Sequence, residues 1–83
     1  MTSEQKYFFT AAESMFKSIY KKFISDGETE IVAIALSAET MDRIFSKTGL
    51  IYDVYSNILK DIENMYLNPV NTYSIYKKYG ITT

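Results

Sequence analysis

Apolar residues recur every three or four positions along most of the chain, a spacing that predicts helices separated by short breaks. The first helix is expected from about Ser3 to Ser25, with Thr2 and Gln5 at capping-box spacing at its start. Within it, Phe8, Ala12, Met15, Ile19 and Phe23 fall on one face of a 3.6-residue period and are expected to meet the core. Lys6, Thr10, Glu13, Lys17 and Lys21 take the opposite side, with Glu13 and Lys17 in the favourable i, i+4 order. Phe9, Phe16 and Tyr20 form a second apolar strip beside the first, so the apolar arc is wider than one neighbouring helix covers.

Ser25-Asp26-Gly27 then breaks the chain. The stretch Glu28 to Lys47 reads as a helix, with Ile31, Ile34, Ala35, Ala38, Met41 and Phe45 on one face and Glu39 and Arg43 as an i, i+4 pair. Glu30 to Leu36 also reads as a short strand, after which Ser37 would cap a shorter helix. A lone strand would need pairing from another chain, and the two alanines and the sustained period favour helix. Gly49 marks the next break. A third helix is expected from Leu50 to about Leu67, with Ile51, Val54, Tyr55, Ile58, Ile62, Met65 and Tyr66 on one face. Asn68-Pro69 supplies a stop and a restart, since proline suits a first helical turn and asparagine caps it. A short helix from Pro69 to Tyr79 then ends at Gly80. The expectation is one all-α domain over residues 1–83, a small bundle of three longer helices plus a short C-terminal fourth.

The aromatic content changes this picture. The 83 residues include eight Tyr and five Phe, and a chain this short buries only about 60–65% of its unfolded surface. A core of that size leaves rings over, and surplus aromatics mark contact surfaces. The residues expected to bind a partner are therefore Phe9, Phe16, Tyr20, Tyr52, Leu59 and Tyr66, on the second strips of the first and third helices. That partner is another protein or a second copy of the chain, with a homodimer as the simplest form.

Candidate chemistry is sparse. The chain has neither Cys nor His, which removes the thiol nucleophile, the commonest general base and the commonest zinc ligands. Asp26, Glu28 and Glu30 alternate like the start of a calcium loop, but Ile31 stands where glycine is needed and Ser37 where the closing glutamate should be. The expectation is a non-enzymatic protein with no cofactor and no metal. The longest apolar run, Ile31 to Leu36, is far short of the roughly 20 residues of a membrane span, and the N-terminus lacks the layout of a secretory signal. A cytoplasmic protein is expected.

Net charge is −1, distributed as +2 over residues 1–25, −5 over 26–63 and +2 over 64–83. The basic ends contain an internal echo, Ser18-Ile19-Tyr20-Lys21-Lys22-Phe23 and Ser74-Ile75-Tyr76-Lys77-Lys78-Tyr79. The alternative function is nucleic-acid binding through Lys21, Lys22, Lys77 and Lys78, with neighbouring rings stacking on bases. Lysines also favour helix C-termini for the sake of the macrodipole. A helix-turn-helix around Gly49 is disfavoured, because Phe45 would crowd the turn and no cation precedes Lys60 in the helix that would read the groove. In size and helix count the chain resembles small bacteriocin immunity proteins and phage-encoded inhibitors of host machinery, an analogy of fold alone. An inhibitor, adaptor or regulator of a partner protein is the function this reading implies.

Overall fold

Burial of the apolar stripes produces three long helices and a short one, in the order expected. In the computed structural model, which describes residues 3–47 and 52–81 and the side chains of these except 52–54, α1 runs Ser3–Ser25, α2 Glu30–Lys47 and α3 Tyr52–Leu67. A 3₁₀ turn, Pro69–Asn71, leads into α4, Thr72–Lys78. The described residues contain no strand, so the all-α bundle is the fold. The expected capping box at Thr2 and the break at Gly49 lie outside the described residues.

The segment that also read as a strand is helical throughout, and its cap explains why. The Thr29 hydroxyl accepts the Val32 N–H at 3.3 Å, and the Thr29 carbonyl takes the first helical bond, from Ala33 N–H at 2.8 Å. Threonine thus satisfies one of the donors orphaned at a helix start, and α2 begins two residues later than the pattern implied. Both α1 and α4 end in Schellman motifs. Gly27, at φ 98°, lets Glu28 N–H reach the Phe23 carbonyl, and Gly80, at φ 71°, lets Ile81 N–H reach that of Tyr76. Asn68 departs from its expected role. Its side chain does not cap the turn that follows but donates from Nδ2 to Asn64 Oδ1 at 3.2 Å, while its carbonyl accepts the Asn71 N–H.

Ring contacts fix the directions of the helices. Phe8 meets Tyr55, and both Phe16 and Tyr20 meet Tyr66 further along, so α1 and α3 run parallel. Phe45 near the end of α2 meets Tyr55 near the start of α3, so α2 runs against both. After the proline corner α4 turns back along α1 and α3, and Tyr79 stacks on Phe9 with centroids 4.3 Å apart. The molecule is flattened, only 16 Å across its thinnest Cα dimension.

The core follows from that packing, and it corrects the expected faces. On α1 the fully buried residues are Phe9, Ala12 and Phe16, whereas Phe8 is half-buried and Met15 is 40% exposed. The core face is turned towards the second strip, because Tyr66 of α3 packs on Phe16 and Tyr76 and Tyr79 cover Phe9. On α2 the core side chains are Ala33, Ile34, Ser37 and Met41, while Ile31, expected inside, is 72% exposed. The buried Ser37 hydroxyl is satisfied by donating to the Ala33 carbonyl at 2.6 Å. On α3 the expected Tyr55, Ile58, Ile62 and Met65 are buried, joined by Leu59. The expected contributions of Ile51 and Val54 lie outside the described residues.

Candidate docking groove

The residues expected to form a partner surface are mostly interior. Phe9 and Phe16 are completely buried and Leu59 nearly so, all three within one chain. Tyr20 and Tyr66 are half-buried against each other, and the side chain of Tyr52 lies outside the described residues. Four of these rings and the leucine therefore belong to the bundle's own packing. The surplus of aromatic side chains that singled them out is absorbed within the bundle, Phe16 and Tyr20 against Tyr66 of α3 and Phe9 against Tyr76 and Tyr79.

The large exposed apolar side chains among the described residues are a different set; Tyr7, Met15 and Ile44 lie elsewhere on the bundle, and the other six belong to segments that meet at one end. The up–down–up order brings the end of α1, the start of α2, the end of α3, the 3₁₀ turn and the start of α4 to one end of the molecule. Ile24, Ile31, Val32, Leu67, Val70 and Tyr73 all belong to those segments and are all exposed, Val70 at 88% and Tyr73 at 68%. Signals for two of them existed in the sequence: a two-turn helix after a proline corner buries only one stripe, which Ile75 and Tyr79 occupy, so Val70 and Tyr73 must point elsewhere.

A groove of about 650 Å³ opens at this end. One wall is α1, through Thr10, Glu13, Ser14, Lys17 and Tyr20. The facing wall is the proline corner and α4, through Pro69, Thr72 and Tyr76. Met65 and Tyr66 of α3 lie between them, and Glu30 and Ile34 of α2 close the end. Val70, Tyr73 and Ile31 follow the lining residues Pro69, Thr72 and Glu30 in sequence but are not themselves part of the lining.

The polar groups of the groove are ordered by one contact. The Tyr76 hydroxyl donates to Glu13 Oε2, so Glu13 turns across to α4 instead of pairing along α1 with Lys17. That bond, helped by burial and the carboxylate's charge, pushes the Tyr76 phenol up to about 12. Burial raises Tyr66 as well, with smaller contributions from Glu13 and Tyr20. The groove therefore resists a further negative charge despite the nearby Lys17. A parallel arrangement lies outside it, where the Tyr79 hydroxyl donates to Asp61 Oδ2 at 2.5 Å and Lys78 Nζ pairs with the same oxygen at 2.9 Å.

No protein-family model matches the chain, and no curated protein or solved structure matches it. The site is thus read from its own geometry.

The four lysines of the nucleic-acid reading are not brought together. Lys21 and Lys22 are exposed near the end of α1, and Lys77 and Lys78 near the end of α4. The end of α4 lies beside Phe9, about 18 Å along α1 from Lys21 at 1.5 Å per residue. Lys78 is in addition engaged by Asp61. In both echoed segments the tyrosines and final aromatics turn inward and the lysines outward, as the helix dipole and core packing favour.

Proposed function

We propose that this chain is a non-enzymatic binding module that docks another protein on the groove-bearing end of the bundle and acts there as an inhibitor, adaptor or regulator. The observation that carries the reading is the gathering of Ile24, Ile31, Val32, Leu67, Val70 and Tyr73, all exposed, at that one end. Large apolar side chains scattered singly over a surface need no explanation, but several gathered at one end of a small domain beside a concavity favour a contact site there. The concavity takes the side chains of a partner, and the rim supplies apolar area around it.

The test is affinity capture from the native host with the wild-type chain and with a Val70→Asp, Tyr73→Asp double variant, read by mass spectrometry. Both residues are exposed, so the variant should melt within a few degrees of wild type. A protein retained by the wild type and lost by the variant is the expected result. Identical retention by both chains would refute this surface as the docking site.

A further inference from the structure

We propose that Asp26-Gly27, at the corner between α1 and α2, is a self-modifying site: Asp26 converts spontaneously to isoaspartate when the turn that closes α1 opens. This holds whatever the groove-bearing end of the bundle binds.

The chemistry is a ring closure between neighbouring residues. The backbone nitrogen of Gly27 attacks Cγ of the protonated Asp26 carboxyl group. An N–Cγ bond forms, the carboxyl hydroxyl leaves as water with the nitrogen's proton, and a five-membered succinimide results. Water then adds to one of the two ring carbonyls. Breaking the N–Cγ bond restores aspartate, whereas breaking the bond from nitrogen to the backbone carbonyl carbon leaves the main chain running through the side chain. One water is lost and one regained, so no oxidant or cofactor is needed.

The sequence selects Asp26 for this reaction. A side chain on the following residue obstructs the approach of the nitrogen, and glycine has none. The four aspartates, Asp26, Asp42, Asp53 and Asp61, are followed by Gly27, Arg43, Val54 and Ile62. Asparagine closes the same ring with loss of ammonia, but the residues after the four asparagines are Ile58, Met65, Pro69 and Thr72, and Pro69 has no N–H. Asp26 and Gly27 are both exposed, so water reaches the ring once it forms.

The structure supplies a gate. Asp26 N–H donates to the Lys22 carbonyl at 2.9 Å, Gly27 N–H to that of Ile24 at 3.0 Å, and Glu28 N–H to that of Phe23 at 3.1 Å. The attacking nitrogen is therefore engaged. Ring closure requires rotation about the Asp26 Cα–C bond, which swings the Gly27 peptide away and breaks the bonds to Ile24 and Phe23. Helix ends open locally at far less free energy than the whole fold, so in the folded chain the reaction is slowed but not stopped. The isoaspartyl product carries one extra backbone atom between the Phe23 carbonyl and the Glu28 N–H. The Schellman closure then loses its register, and the corner stays loosened.

The test incubates the full chain near neutral pH, folded in buffer or unfolded in guanidinium chloride. Isoaspartate is counted after removal of denaturant, by methyl transfer from S-adenosylmethionine with a protein isoaspartate methyltransferase. Label should accumulate in both samples, about tenfold or more slowly in the folded one, and should map to the tryptic peptide Phe23 to Arg43. Asp26→Glu, at an exposed position, should abolish it in both, because a six-membered ring closes far more slowly. Labelled chain separated from unlabelled should melt at a lower temperature. No label in the unfolded chain, or label that survives Asp26→Glu, would overturn the site; equal rates in the two samples would overturn the gate.

Discussion

Replacing Phe16 by alanine puts the rotated face of α1 to a direct test. Phe16 has no exposed surface and its ring centroid lies 4.7 Å from that of Tyr66. It belongs to the core cluster that also holds Met41, Ile58 and Ile62. Truncating a phenylalanine in such a position removes its transfer free energy and leaves a cavity, at a cost of about 3–5 kcal/mol. A domain of this length has only about 4–12 kcal/mol in total. With roughly 4–8 °C lost per kcal/mol in small domains, the melting temperature should fall by about 12–40 °C. Met15, one position away and 40% exposed, provides the control: Met15→Ala should cost about 1 kcal/mol or less, because much of its surface stays in water. Urea unfolding followed by circular dichroism gives both values. If Met15→Ala proves the costlier change, the core face is Phe8–Ala12–Met15 after all and the packing described for α4 is wrong. The experiment also separates folding from recognition at a residue whose sequence context pointed to a partner surface, since a core role requires that stability falls in the isolated chain.

Alkaline pH should unfold the protein through its tyrosines. Tyr66, Tyr76 and Tyr79 have folded pKa values raised above the ordinary 10.0, Tyr76 to about 12. Their contribution is therefore fully present below pH 10 and is lost as pH rises through the folded values. Urea midpoints should be level up to about pH 9 and fall steadily from pH 10 towards 12; a flat profile over that window would count against the Glu13 and Asp61 hydrogen bonds. Gly27→Ala should destabilise by about 1 kcal/mol or more, because φ at 98° is strained for any side chain although nothing lies within 4 Å of an added Cβ. An unchanged melting temperature would mean that the Schellman turn after α1 relaxes freely. Asp61→Asn should lower stability through loss of the Lys78 ion pair and weakening of the Tyr79 bond, but by no more than about 1–3 kcal/mol; sodium chloride titration, which screens the wild-type pair, should narrow the gap between the two chains.

Local chemistry alone determined the helices. The periods of three and four, the turn at Gly27, the proline after Asn68 and the glycine at position 80 are properties of short stretches of chain, and they placed α1 at Ser3–Ser25 and the end of α3 at Leu67. The main face of α3 was legible, because Tyr55, Ile58, Ile62 and Met65 lie on one stripe and are buried, although Leu59 of the second strip joins them in the core. On α1 two stripes competed, and nothing within that helix distinguishes them. The choice of Phe9 and Phe16 over Phe8 and Met15 was made by residues far along the chain: Tyr66 of α3 packs on Phe16, and Tyr76 and Tyr79, more than sixty residues on and brought back by the corner at Pro69, pack on Phe9. The same event decided which apolar residues remain outside. A short helix with one buried stripe covers Phe9 and leaves Val70 and Tyr73 in water, so the surface available to a partner is what remains after tertiary packing has used what it needs. The Glu13–Tyr76 and Asp61–Tyr79 pairs are of that kind as well. They join residues 63 and 18 positions apart, and no periodicity along the chain carries information about which carboxylate a distant phenol will reach.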